Sequence, residues 1–199
     1  TLEDLTDAVN YVMDAYGFPE HSIEDVRCFV GNGIRVLMQR AIPEGEENPQ
    51  FDEAFELFKR YYLAHNKVKT RPYDGIMELL GELKKRGVHM AIVSNKNQPT
   101  VEALCEEEFQ GLISVAVGDG EGRARKPAPD GPMEAIRRLG LSGTEGVLYV
   151  GDSEVDAQTA KNAGLGCVLV TWGFRTRQEM APYSAFPFID RPEELLEFV

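Results

Sequence analysis

Positive charge is scarce in this chain: 33 acidic residues face 21 lysines and arginines, a formal net charge of -12 over 199 residues. A field of that sign repels nucleic acid and anionic membranes, so neither is expected as a partner. Any phosphate that binds must meet local cations. Cysteine is also thin. Cys28, Cys105 and Cys167 form no CxxC pair, which argues against a disulfide framework or a zinc site and predicts three buried thiols. No apolar run approaches the ~20 residues that span a bilayer. The N-terminus carries no basic segment followed by an apolar one, and the sequence reads as cytoplasmic. Internal repeats and low-complexity segments are missing too. What is present, 43% hydrophobic and 27% charged residues, is the balance of an ordinary globular protein, with length for a core domain and a smaller one attached.

Residues 1–71 are helical in pattern. Leu2, Leu5, Val9, Val12, Met13 and Tyr16 recur at helical spacing until "GFP" stops the run. "SIED" from Ser22 predicts a capping box, and "GNG" at 31–33 breaks the second helix before Ile34 to Arg40. Asn48 and Pro49 predict the N-cap and first position of a helix with Phe51, Ala54, Phe55, Phe58 and Tyr62 on one stripe. From residue 72 onward the texture changes. Short apolar runs at Val88–Val93, Ile113–Val117, Val147–Val150, Cys167–Val170 and Phe188–Ile189 alternate with amphipathic helices at about Gly75–Arg86, Gln98–Glu108, Pro132–Leu139, Val155–Ala163 and Pro192–Val199. This alternation predicts an α/β fold, a parallel sheet covered on both faces. Ligands in such sheets sit beyond the carboxyl ends of the strands.

Three motifs occupy those ends. "SNKN" places Ser94 and Asn95 where a hydroxyl and backbone N–H groups can hold oxyanions, although both residue types serve equally as turn formers. "GDGEGRARKPAP" has neither dinucleotide-fingerprint nor P-loop spacing and lacks the alternating acids of a calcium loop. It leaves Lys126 as a cation near the strand ends. "YVGDSEVDAQTAKNAG" sets Asp152 and Asp156 four residues apart, ~5–6 Å between Cβ atoms on a helix. Two carboxylates ~4 Å apart at an effective dielectric of ~20 repel by about 4 kcal/mol, and a helix N-terminus offsets only ~0.3–1 kcal/mol per acid. Either the side chains part into solvent with Asp152 as a cap, or a cation lies between them. Oxygen-only ligands suit magnesium rather than zinc.

Taken in order, "AIVSNK", "KPAP", "YVGDSEVDAQTAKNAG" and "VTWGF", together with "FVGNGIRVLMQRAI" and "RPYDGIMELL" earlier in the chain, resemble the haloacid dehalogenase superfamily and its phosphoglycolate phosphatase-like branch. The resemblance implies a Rossmann-like core (72–199) with a helical cap (1–71). It implies Mg2+ at Asp152 and Asp156, and a phosphoryl group held by Ser94 and Asn95 and neutralised by Lys126. Gly31, Asn32, Gly33 and Arg35 of the cap would close over the leaving group. The implied activity is hydrolysis of a small-molecule phosphate ester, phosphoglycolate first, through an aspartyl-phosphate, by a monomer or homodimer. A pyrophosphatase or sugar-phosphate mutase shares these motifs. A dehalogenase has no use for the metal pair.

One family motif is missing: an apolar strand followed by DxDGT, which supplies nucleophile and general acid, matches nothing here. Both are expected upstream of residue 1, and the chain taken literally reads as an inert phosphate-binding module. The absent strand is the middle one of the family sheet, so the strands ending at Val93 and Val150 are expected ~10 Å apart and unpaired with each other.

Overall fold

The structure, a computed structural model, describes residues 1–31, 33–120 and 122–199. The chain divides into two compact units, Thr1–Arg71 and Pro72–Val199.

The first unit is helical: α1 (Leu2–Tyr16), α2 (Ile23–Phe29), α3 (Ile34–Ala41) and α4 (Phe51–His65). The apolar stripes meet in one cluster, with Leu5, Val9, Val12 and Met13 of α1 against Val26, Leu37, Met38, Phe51, Ala54 and Phe58. Each large side chain fully withdrawn from water contributes about 1.5–3 kcal/mol. The capping box forms, with Asp25 N–H donating to Ser22 Oγ and Ser22 N–H to Asp25 Oδ2. Asn48 does not cap α4. Its Oδ1 accepts from Gln50 N–H at 2.9 Å, an Asx turn two residues on, and the helix starts two residues later than expected. Asp4 was not singled out by pattern, yet it is 2% exposed. It accepts from Lys69 N–H (2.8 Å), Thr70 N–H (2.9 Å) and Thr70 Oγ1 (2.6 Å), tying the start of α1 to the segment that leaves α4.

The second unit runs α5 (Ile76–Lys85), β1 (Ala91–Asn97), α6 (Gln98–Phe109), β2 (Val115–Asp119), α7 (Asp130–Arg138), β3 (Leu148–Gly151), α8 (Glu154–Ala163), β4 (Gly166–Val170) and β5 (Phe188–Ile189). β1 begins three residues later than its apolar run because Val88 N–H is taken by Leu83 O at the end of α5. The last helix expected from the sequence is a 3-10 segment, Pro192–Glu197. All pairings are parallel, in the orders β1-β2 and β3-β4-β5. Among the described residues β1 and β3 do not pair with each other. β4 is apolar on both faces for a visible reason: Cys167 and Leu169 pack with Ala157 and Ala160 of α8, while Val168 and Val170 pack with Leu79 and Leu83 of α5. α7 serves both sheets, with Ala135 against Val115 and Val117 and Ile136 in the cluster around β4.

Two features correct the sequence reading. Cys28 is exposed, and only Cys105 and Cys167 are buried. The other feature is Gln98, 8% exposed at the start of α6. Its Nε2 donates to Ala116 O at 2.9 Å, and its Oε1 accepts from Gly118 N–H at 2.7 Å. Those are the two groups, two residues apart, that one residue of a neighbouring parallel strand would bond. The side-chain amide stands in for a strand on β2, whose only strand partner among the described residues is β1. Gln98→Ala leaves a buried N–H without its acceptor and should lower unfolding free energy by about 1–3 kcal/mol in urea denaturation, with an unchanged m value.

Candidate active site

The chemistry collects where β1 and β3 end. Asp156 lies in the first turn of α8 and is 5% exposed. Every face of its carboxylate has a donor. Oδ1 accepts from Lys126 Nζ at 2.7 Å and Tyr149 OH at 3.3 Å. Oδ2 accepts from Ser153 Oγ at 2.5 Å and Asp152 N–H at 3.3 Å. Burial by itself would raise its pKa, but the Lys126 charge and the hydrogen bonds from Lys126 and Ser153 hold it below the usual carboxylate value. Tyr149 is pushed far up by burial and by Asp156, so its phenol remains a donor.

Asp152 is in the opposite condition. It is not the helix cap, which is Ser153. Its Oδ2 turns to Phe174 N–H at 3.0 Å, and its Oδ1 meets no donor among the described residues. Burial first, and then the charge of Asp156, push its pKa up to about 6. Two glycines make room for the pair, each by close approach rather than by unusual backbone. A Cβ on Gly151 would overlap the Asp156 side chain, and one on Gly173 would overlap the Asp152 carboxylate. Neither carboxylate is splayed into solvent, and one cation the spacing called for is Lys126 itself.

The end of β1 joins this network through Asn95. Its Oδ1 accepts from Lys126 N–H at 2.9 Å and its Nδ2 donates to Lys126 O at 3.3 Å, so the strand fixes the backbone that carries the ammonium. The β1–β2 register breaks between Val93 and Asn97, and Ser94 and Asn95 sit in that irregular stretch. Ser94 Oγ accepts from Lys96 N–H at 3.1 Å. Ser94, Asn95 and Lys126 line one small pocket with Gly118, Asp119 and Arg125. Thus Ser94, Asn95, Lys126, Asp152 and Asp156 form one connected group.

The remaining predicted site residues belong to the first unit. Gly31 and Gly33 precede α3, and Asn32 lies outside the described residues. Arg35 is half-exposed, its guanidinium paired with Glu46 at 2.6 Å and Asp52 at 3.4 Å. It also lies over the rings of Phe51 and Phe55, 5.0 and 5.4 Å from their centroids.

Sequence reasoning missed Tyr149, Ser153, Gly173 and Phe174. The last two were visible only as part of "VTWGF", because nothing in one dimension says that a loop after β4 returns to the end of β3. Among the described residues no three His, Cys, Asp or Glu side chains cluster as a metal site. The pair still fits the magnesium that the motifs imply: Asp152 is half-buried and offers a hard carboxylate oxygen short of donors, and a nearby cation would hold it ionised. Magnesium takes one or two carboxylates and completes its shell with water and phosphate oxygens.

Comparison with known proteins gives a consistent picture. The family described as haloacid dehalogenase-like hydrolase matches residues 1–170. Phosphoglycolate phosphatase 1 of Pseudomonas aeruginosa is 32% identical over 202 residues, spanning 98% of this chain and 74% of its own length. The phosphoglycolate phosphatase of Aquifex aeolicus is 27% identical, covering 100% of this chain and 90% of that protein. Among solved structures, a protein provisionally assigned as phosphoglycolate phosphatase from Lactobacillus delbrueckii subsp. bulgaricus superposes with a TM-score of 0.92. It shares 35% identity, over 99% of this chain and 91% of that one.

Substituting Gly173 by alanine must displace either the Asp152 carboxylate or its loop. The expected result is a loss of about 1–3 kcal/mol in thermal or chemical unfolding.

Proposed function

The chain belongs to the haloacid dehalogenase-like hydrolases and is a phosphatase of that family; from this premise we propose that it hydrolyses a small phosphomonoester, phosphoglycolate before others, with Mg2+. The observation that carries the reading is the buried Lys126–Asp156 pair at 2.7 Å, set between Asp152 and the β1 end that bears Ser94. An acidic protein that holds a lysine at the strand ends, hydrogen-bonded through Asn95 to the end of β1, has placed a cation where an anion can arrive.

In this reading Ser94 Oγ and the backbone N–H at Asn95 hold phosphoryl oxygens, and Lys126 Nζ screens both those oxygens and the attacking carboxylate. Asp156 keeps Lys126 aimed. Asp152 would hold the metal directly, with Asp156 as its neighbour; magnesium, when bound, supplies further positive charge that lowers the cost of bringing a carboxylate to a phosphate dianion. An aspartate oxygen bonds to phosphorus as the ester P–O bond breaks. A second carboxylic acid gives its proton to the leaving alkoxide, and water then cleaves the aspartyl-phosphate. Neither of those two acids is among the 199 residues in a DxDGT setting, and the proposal has both supplied from upstream of Thr1. The helical unit acts as the cap, with Gly31, Asn32, Gly33 and Arg35 selecting the leaving group.

An activity panel on full-length protein tests this reading. Phosphoglycolate should exceed pyrophosphate and hexose phosphates in kcat/KM with Mg2+ present, and chelation should abolish turnover. Preference for pyrophosphate or for a hexose phosphate would reassign the substrate within the family. Asp152→Ala should cut kcat/KM by at least about 100-fold, and unchanged turnover would remove the metal assignment. Residues 1–199 alone should be inactive; turnover by them would place the nucleophile inside the chain.

A further inference from the structure

Asp152 depends on a loop. Phe174, whose N–H it accepts, lies between β4 and β5 in a segment that is neither helix nor strand. A hydrogen bond from such a segment is only as well aimed as the segment is held. Its surface attachments are weak ones: Arg177 pairs with Asp190 at 3.0 Å with both side chains more than half exposed, a setting in which ion pairs contribute little.

Arg175 differs. Its side chain is 11% exposed, and it grips Glu154 in the first turn of α8 with two bonds, Nε to Oε2 at 2.9 Å and Nη2 to Oε1 at 3.3 Å. Its Nη1 also donates to Phe174 O at 3.3 Å. Phe174 is therefore fixed on both sides, by Asp152 at its N–H and by Arg175 at its carbonyl. Glu154 in turn stands two residues from Asp152 at a helix N-terminus, where negative charge is favoured. A fork-to-fork guanidinium–carboxylate pair is directional in a way that a lysine contact is not. The ring of contacts closes from Asp152 through Phe174, Arg175 and Glu154 back to the α8 turn beside Asp152.

We propose that Arg175, acting through Glu154 and Phe174, is a positioning residue that holds the Asp152 carboxylate in its ligating orientation and so sets the affinity of the site for a divalent cation. The proposal rests on the reading of Asp152 as the metal ligand. It concerns a residue outside the recognised motifs and touching neither metal nor substrate.

The test measures metal binding in the full-length protein without turnover. Mn2+ affinity is read by electron paramagnetic resonance, and the rise in unfolding temperature on adding Mg2+ gives a second readout. Arg175→Ala should weaken Mn2+ binding by about 10–100-fold, the usual range for a group that orients a ligand. KM for the phosphate ester, taken at saturating Mg2+, should stay within about twofold of wild type on the same grounds. Arg175→Lys should recover only part of the affinity, and Glu154→Gln should weaken it in the same direction if the Ala variant fails to fold. Wild-type Mn2+ affinity in folded Arg175→Ala or Glu154→Gln protein overturns the proposal. Asp152→Ala protein that binds Mn2+ as tightly as wild type overturns the ligand reading itself, and the proposal with it; loss of binding there with no loss in the Arg175 variant sinks the proposal alone.

Discussion

The buried ion pair between Lys126 and Asp156 is the constraint to which the rest of the site conforms. An ionised carboxylate withdrawn from water is costly unless its lone pairs are filled and its charge is met. Asp156 satisfies both conditions with an ammonium, a phenol, a serine hydroxyl and a backbone N–H. Because those donors come from the segment after β2, from β3 and from the start of α8, the pair also fastens separate stretches of chain at one point. Asp4 solves the same problem in the first unit with three uncharged donors, and there the outcome is purely structural. What sets Asp156 apart is that one of its donors is a charged lysine, the cation that the proposed phosphatase reading requires.

Asp152 carries the complementary imbalance. Its neighbour has taken the cation and most of the donors, which leaves one of its own oxygens without a hydrogen bond and its proton held up to about 6. A folded protein tolerates such a group where it serves binding. The two carboxylates at the start of α8 are thus unlike: Asp156 holds the lysine, and Asp152 keeps one oxygen free of donors among the described residues.

Much of this was legible in advance, for reasons tied to period and chemistry. Helical spacing in α1 and α4 identified their buried stripes, since Leu5, Val9 and Val12 in one, and Phe51, Ala54 and Phe58 in the other, share a face only in a helix. The continuous apolar run at β4 marked a strand covered on both sides. The capping box at Ser22 was readable because it involves residues three apart. Reading failed where a side-chain or backbone polar group chose between local partners. Asn48 could cap or turn and did the latter, and Val88 joined the end of α5 rather than β1.

The sequence by itself determined the α/β class and the alternation of elements, which rest on periodicity, and it marked Ser94, Asn95, Lys126, Asp152 and Asp156 as candidates by their places after apolar runs and by their motifs. Only the tertiary structure decided that Asp152 faces Gly173 and Phe174, that Tyr149 bonds Asp156, and that Gln98 serves β2 in place of a strand. Those contacts join residues from 7 to 22 positions apart, and which of many possible partners a buried polar group meets is set by packing of whole elements. Local pattern carries no record of that packing.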